Sequence, residues 1–164
     1  MSLVIFITMR VITKPINTSF RKLGISDAES LFDLESTNTK HPWSFTNFET
    51  SLADLNTISD GLFVKDKLVG YILTLVAFDT ADILNIGVHP DFKRLGCGKM
   101  LLDHLLAQLQ KTVVCDLILE VRIENHIAIN FYQKQGFVTV GTREKYYSNL
   151  EDAKIMKLHI PQYK

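Results

Sequence analysis

The sequence has few of the residues that build metal sites. Its two cysteines, Cys97 and Cys115, form no CxxC pair and have no histidine at metal-binding spacing. None of the five histidines belongs to an HExxH-type pair. These absences predict that the protein binds no metal, and they favour two free thiols in a cytosolic protein.

The chain also lacks an excess of charge of either sign. Its 164 residues carry 18 Lys and Arg against 18 Asp and Glu, so we expect no global attraction to nucleic acid or membrane. The apolar run within residues 1–10 is too short to cross a bilayer and lacks the basic leader of a signal peptide. Length and composition predict a single domain over residues 1–164. They leave open whether residues 1–17 form a flexible extension, since Met9 could equally begin the domain.

Periodicity and turn residues predict a mixed α/β fold. The expected element order is β-α-α-β-β-β-α-β-α-β-β, with helices on both faces of a central mixed sheet. The predicted helices are 27–35, begun by a capping box at Ser26 and Glu29, 44–52, capped by Ser44, 98–111, and 125–135, closed by Gly136. The predicted strands are 18–23, 62–64, 68–78, 83–88, 117–121, 137–140 extended toward 147, and 153–159. Because 83–121 reads as a strand–helix–strand crossover, its two strands should be parallel and close.

The most informative segment is residues 93–99, Lys-Arg-Leu-Gly-Cys-Gly-Lys, between a predicted strand and a predicted helix. Gly96 and Gly98 allow a tight turn and leave the backbone N–H groups uncovered. The helix that begins there directs free N–H groups and its positive dipole end into the same space, and three basic side chains add charge. The segment favours a phosphate or pyrophosphate ligand, and a simple glycine turn is the alternative.

Two better-known phosphate motifs do not match this segment. A dinucleotide fingerprint requires glycine where Leu101 stands. A Walker A loop requires glycine in place of Lys93 and serine or threonine in place of Met100. NAD(P) and nucleoside triphosphates are therefore not the favoured ligands.

Three polar residues downstream could carry chemistry. Glu120 interrupts an apolar strand near its C-terminal end, where ligands of α/β sheets bind, and could act as a base. The alternative is an ion pair of Glu120 with Arg122 or Lys154. Tyr132, on the following helix, could donate a proton to a leaving group, or it could only pack on the sheet. Asn125 is expected to cap that helix, whether or not it also contacts a ligand.

These residues together resemble a known family. The strand end Ile86-Gly87-Val88 and the segment 93–98 resemble the acetyl-CoA motif of the GNAT superfamily of N-acetyltransferases, whose pattern is Gln/Arg-x-x-Gly-x-Gly/Ala. Lys93 departs from the first position but keeps a hydrogen-bond donor, and the resemblance covers about residues 18–159. A narrower resemblance is to the RimI type, which acetylates the N-terminal alanine of a small-subunit ribosomal protein. Its matching segments are Pro42-Trp43-Ser44, Leu119-Glu120-Val121-Arg122, Asn125, Phe131-Tyr132, Gly136-Phe137, Arg143, Tyr146-Tyr147, Glu151-Asp152-Ala153 and Met156.

The resemblance implies an acetyl-CoA-dependent acyltransferase and assigns roles by position. It implies that Glu120 is the general base and Tyr132 the general acid. The implied acetyl-CoA contacts are Ile86, Gly87 and Val88 on the pantetheine strand, Lys93, Arg94, Leu95, Gly96, Cys97, Gly98 and Lys99 on the pyrophosphate loop, and Asn125. The implied chemistry needs no metal and no covalent enzyme intermediate, so Cys97 is interpreted as a small spacer.

The resemblance also implies partners and a location. The partners are acetyl-CoA and the N-terminus of a ribosomal protein, with no direct nucleic acid and no membrane, in a cytoplasmic monomer or weak homodimer. A small-molecule amine or a lysine side chain is the alternative acceptor. A third hypothesis is a non-catalytic acetyl-CoA-binding domain, and the presence of both Glu120 and Tyr132 argues against it.

Overall fold

The computed structural model describes residues 17–147 and 150–162 of the chain. The strands are β1 (Thr18–Lys22), β2 (Thr57–Val64), β3 (Lys67–Ala77), β4 (Thr80–Val88), β5 (Asp116–Arg122), β6 (Val138–Arg143) and β7 (Ala153–His159). The helices are α1 (Ala28–Ser36), α2 (Phe45–Ala53), α3 (Cys97–Leu109) and α4 (His126–Lys134), with short 3₁₀ turns at 25–27 and 90–92. This is the predicted element order. The possible N-terminal extension, residues 1–17, lies outside the described residues except for Asn17.

The strands form one sheet in the order β1-β2-β3-β4-β5-β7-β6. Neighbouring strands are antiparallel except for β4 and β5, which are parallel. The chain connects these two strands through α3, so the predicted crossover is confirmed. Its parallel pair lies in the interior of the sheet, with three strands on one side and two on the other.

Helices pack on both faces of the sheet, as predicted. Leu101 and Leu105 of α3 and Ile129 of α4 belong to one hydrophobic core. Leu31 of α1 and Phe48 of α2 belong to a second core on the opposite face. Side chains alternate between the two faces along β3. Tyr71 and Leu73 belong to the second core, and Ile72 between them belongs to the first.

The beginning of α1 differs from the predicted capping box at Ser26 and Glu29. Instead, the Asp27 carboxylate accepts a hydrogen bond from the Gly24 backbone N–H at 2.9 Å. Arg21 on β1 holds the same carboxylate in an ion pair at 2.8 Å and lowers its pKa, mainly by hydrogen bonding. The ion pair with Arg21 of β1 therefore favours Asp27 as the acidic residue that caps the turn before α1. The cap of α2 is as predicted, since Ser44 Oγ accepts from the Asn47 N–H at 3.2 Å.

β2 begins at Thr57, five positions before the predicted start at residue 62. The early part of this strand was missed because its buried positions include the polar residues Ser59 and Asp60. The buried carboxylate of Asp60 accepts a hydrogen bond from Gln108 Nε2 of α3 at 2.6 Å. A polar residue can occupy a core strand when a distant helix supplies its partner, and the local pattern does not reveal that partner.

Candidate active site

The candidate site begins where β4 and β5 separate. The two strands pair only from Thr80↔Asp116 to Ile83↔Leu119, although β4 continues to Val88 and β5 to Arg122. Beyond Ile83 the edge of β4 that faces β5 therefore has no strand partner. The result is a wedge-shaped gap in the middle of the sheet.

Backbone groups of β4 point into this gap. Just after β4, the His89 N–H donates to the carbonyl of Val69 on the neighbouring antiparallel strand β3 at 2.8 Å. Because N–H groups alternate between the two edges of a strand, those of Val88 and Ile86 face the gap. They are available to pair with a ligand that extends along β4.

A cavity of about 820 Å³ occupies the gap. Of the predicted site residues, seven line it: Ile86, Gly87, Val88, Lys93, Glu120, Asn125 and Tyr132. The others, residues 94–99, continue the chain from Lys93 into the first turn of α3. The remaining walls come from the α1–α2 connection and from β6 with the segment after it.

The glycine loop has the predicted tight turn. Gly96 adopts a left-handed φ of +86° at the N-cap of α3, and its carbonyl accepts from the Met100 N–H at 3.0 Å. A Cβ atom at Gly96 would meet open space, so the backbone conformation, not crowding, favours glycine there. The N–H groups of the first helical turn have no partner within the helix.

Two other residues of this segment, Cys97 and Lys99, differ in their surroundings. Cys97 is 2% exposed, and burial raises the pKa of its thiol, which suits a spacer better than a nucleophile. The Lys99 ammonium lies 2.6 Å from the Asp103 carboxylate one turn along α3. Both side chains of that pair are more than half exposed, so the pair adds little stability.

Gly87 is required by packing. A Cβ atom there would lie 2.6 Å from the ring of Tyr71, which is completely buried on the neighbouring strand. A larger residue would displace that ring or the strand. The cavity wall at this point is therefore bare backbone.

Glu120 lies on β5 with its side chain 22% exposed, and Oε1 is 2.7 Å from Arg143 Nη1. The predicted alternative, an ion pair with Arg122 or Lys154, was right about the kind of contact and wrong about the partner. Arg122 instead pairs with Glu151 and stacks on the Tyr147 ring, 3.8 Å from its centre. The Arg143 side chain crosses β7, which lies between β5 and β6, and the β7 residue opposite Arg143 is the small Ala153.

A second carboxylate, Asp82, lies near Glu120 and was missed by sequence reasoning. Asp82 is opposite Ile118 in the parallel register, so Asp82 and Glu120 project from the same face of the sheet. Burial raises the pKa of Asp82, and the negative charge of Glu120 raises it further, while Arg143 opposes the shift. The available signal was its alternation with the buried residues Ala81 and Ile83 in the sequence of β4.

Tyr132 is 7% exposed and packs against Phe131 and Phe137, yet it also lines the cavity. Both interpretations of this residue, a packed ring and a group at the site, are therefore compatible with its position. Burial raises the pKa of its phenol well above the ordinary value, and nearby Tyr147 contributes. The hydroxyl keeps its proton over the usual working range and can donate it.

Asn125 caps α4, as predicted, since its Oδ1 accepts from the Ala128 N–H at 3.1 Å. It lines the cavity from the start of that helix. The cap orients α4, and through α4 it orients Tyr132.

Glu35 is a further cavity residue that sequence reasoning missed. It occupies the apolar face of α1 with Leu31 and Leu34, and only 7% of it is exposed. Its carboxylate accepts hydrogen bonds from Tyr71, Asn85 and Trp43. The signal for it was a charged residue at a position where the helical pattern requires an apolar one.

Neither a metal cluster nor a membrane helix is found in the described part of the chain. No group of three His, Cys, Asp or Glu side chains in residues 17–147 and 150–162 could hold a metal ion. Among the same residues, no helix is long and apolar enough to span a bilayer.

Comparison with known proteins gives consistent matches. Residues 27–137 match the sequence profile of the acetyltransferase (GNAT) family. The chain is 36% identical over 141 residues to the [ribosomal protein bS18]-alanine N-acetyltransferase of Salmonella typhimurium, covering 84% of this chain and 95% of that protein.

Solved structures agree with these matches. The crystal structure of the ribosomal-protein-S18-alanine N-acetyltransferase from Escherichia coli superposes with a TM-score of 0.83 at 32% identity, covering 90% of this chain and 97% of that one. Arabidopsis thaliana NAA60 in complex with acetyl-CoA has a TM-score of 0.80 at 17% identity, covering 88% of this chain and 100% of that one. The latter match shows likeness of fold alone.

Proposed function

The chain belongs to the acetyltransferase (GNAT) family and is an N-acetyltransferase, and from this premise we propose its substrate and mechanism. Acetyl-CoA is the donor, and the acceptor is the N-terminal alanine of a small-subunit ribosomal protein. The similar enzyme from Salmonella typhimurium, named for alanine of ribosomal protein bS18, supports this acceptor. The proposal includes one catalytic domain, active in the cytoplasm as a monomer or weak homodimer, with no direct nucleic-acid or membrane partner.

One observation supports the proposal above the others. The gap between β4 and β5 holds a single cavity lined by bare backbone of β4, by Lys93, and by Glu120 and Tyr132. An extended thioester donor can pair with the backbone, and a base and an acid face the same space. The glycine loop and the start of α3 suit the pyrophosphate of that donor.

The reaction needs a base because an α-amine has a pKa near 8 and is largely protonated at neutral pH. Glu120, directly or through water, removes a proton from the ammonium so that the nitrogen can attack the thioester carbon. The Val88 N–H stabilises the negative charge that develops on the thioester oxygen. Formation of the C–N bond gives a tetrahedral oxyanion, and as this collapses the C–S bond breaks and Tyr132 donates its proton to the departing CoA sulfur. The second proton of the attacking nitrogen passes, directly or through water, to the Tyr132 phenolate, and Glu120 releases the first proton to solvent, so both side chains return to their starting states.

The charge of the cavity favours an amine acceptor. Three carboxyl groups, those of Glu35, Asp82 and Glu120, line it. Arg143 neutralises Glu120 in the absence of a substrate. An incoming ammonium can take the place of that guanidinium beside Glu120.

The decisive experiment compares acceptors for the purified protein with labelled acetyl-CoA. We expect transfer to a peptide that begins with alanine, and none to the same peptide with a blocked N-terminus and an internal lysine. Transfer only to lysine or to a small amine would overturn the acceptor assignment while leaving an acetyltransferase. Mass spectrometry of ribosomal proteins from cells with and without the gene should show the loss of one N-terminal acetyl group.

A further inference from the structure

The buried carboxylate of Glu35 makes an unusual set of contacts. Oε2 accepts from the Tyr71 hydroxyl at 2.6 Å and from Asn85 Nδ2 at 2.5 Å. Oε1 accepts from the backbone N–H of Trp43 at 3.1 Å. Among the described residues, all of its hydrogen-bond partners are uncharged, so three neutral donors stabilise the buried carboxylate in place of a cation.

The donors belong to three different parts of the fold. Tyr71 lies on β3, Asn85 on β4, and Trp43 in the connection between α1 and α2. Asn85 directly precedes Ile86, the first residue of the strand segment proposed to bind the donor. Glu35 therefore joins that strand to the connection, and residues of both line the cavity.

The connection, residues 37–44, has few other attachments. Its first amides bond back to α1, and Ser44 caps α2. From residue 40 to residue 43, the Trp43–Glu35 contact is the only backbone hydrogen bond, among the described residues, to a group outside the connection. The Trp43 ring also packs on Phe48, 5.5 Å between ring centres.

We propose that Glu35 is a positioning residue that holds residues 37–44 against β4 and so shapes the acceptor end of the cavity. The inference rests on the proposed function, because it assumes that the acceptor enters between this connection and Glu120. It assigns Glu35 no role in proton transfer. Its effect is on acceptor binding through the position of Trp43.

The variant Glu35→Gln should remove the contact to Trp43 while keeping those to Tyr71 and Asn85. Two donors meet Oε2 and one meets Oε1, so the single amide oxygen of glutamine is best used toward Tyr71 and Asn85. The amide NH₂ then faces the Trp43 N–H, and two donors oppose each other. The connection is released while the contacts to β3 and β4 remain.

Trp43 reports this release directly because it is the only tryptophan of the chain. We expect its emission to shift to longer wavelength in Glu35→Gln, and its amide to exchange at least tenfold faster. With an N-terminal peptide as acceptor, KM should rise about tenfold while kcat and the acetyl-CoA Kd change less than twofold. The matched control is Asp60→Asn, another carboxylate that is 7% exposed and accepts from an amide, but outside the cavity.

Several outcomes would contradict the proposal. One is an unchanged Trp43 emission and acceptor KM in Glu35→Gln, and another is an equal rise in the KM of both substrates. Should the variant not fold, the wild-type protein still gives a test, since the Trp43 amide should be protected at least tenfold more than the Lys40 amide. The emission and exchange measurements need no substrate, so they test the anchoring even if the peptide is not acetylated.

Discussion

One side of the cavity is formed mainly by backbone and the other mainly by side chains. The proposed donor side, residues 86–99, consists of strand backbone, a loop, three glycines and the first turn of α3, all from one continuous segment. The acceptor side consists of side chains from separate elements, with Glu35 on α1, Glu120 on β5 and Arg143 on β6. A backbone site needs glycine and correct local turns, whereas a side-chain site needs the right neighbours across the sheet.

Because of this difference, the two sides should respond differently to substitution. Substitution on the donor side acts through backbone geometry and should alter donor affinity. Substitution on the acceptor side acts through charge and proton transfer and should alter turnover, acceptor binding or stability. Substitutions on each side therefore test this division.

The largest effect is expected for Glu120→Gln. Loss of the general base should lower kcat by about 10²- to 10⁴-fold, while the acetyl-CoA Kd changes less than threefold because the donor side is untouched. Steady-state kinetics and a direct binding titration measure the two quantities. Glu144→Gln, at an exposed position after β6, is the control. A full rate for Glu120→Gln would show that the base lies elsewhere.

Tyr132→Phe should have the next largest effect. Without a proton donor for the departing thiolate, kcat should fall roughly 10- to 100-fold. Because burial raises the pKa of this phenol, ionisation of Tyr132 should produce no alkaline fall in the wild-type rate below about pH 10. The pH–rate profile checks this. Wild-type turnover in the variant would leave Tyr132 as a packing residue only.

Gly96→Ala tests the donor side. The left-handed backbone at this position strains a residue with a Cβ by roughly 1–2 kcal/mol, and the strained turn should weaken acetyl-CoA binding about tenfold. At saturating acetyl-CoA, kcat should change less than twofold. Gly98→Ala is the control, since its Cβ would make an ordinary contact 3.6 Å from Phe131. Equal effects of the two substitutions on acetyl-CoA Kd would contradict a backbone cause at Gly96.

The smallest effect is expected for Asp82→Asn and concerns stability. The raised pKa of Asp82 means that ionisation is harder in the folded than in the unfolded protein, so above its ordinary value of 3.8 the charge opposes folding. The variant should therefore raise Tm at pH 7 by about 2 °C. The gain should disappear below about pH 4, where Asp82 is protonated in both states. Asp33→Asn, exposed in the middle of α1, should leave Tm unchanged at both pH values.

Sequence reasoning worked best where the interactions are local. The turn at Gly96, the Ser44 and Asn125 caps and the termination of α4 at Gly136 all depend on residues within four positions of one another. The exception was the start of α1, where Arg21 from β1 selects Asp27. A local rule fails when a distant side chain competes for the same group.

The element order, the β4–α3–β5 crossover and the segment proposed to bind the donor could all be read from the sequence. These follow from hydrophobic periodicity, glycine conformation and short-range hydrogen bonds, which a linear pattern records. Three contacts follow from the tertiary structure alone: Arg143 pairs with Glu120, Asp82 lies near Glu120, and Glu35 is anchored by Tyr71, Asn85 and Trp43. Those contacts depend on the order of strands in the sheet and on the packing of α1 against it, and a buried charge is stable only once both have brought its partners together.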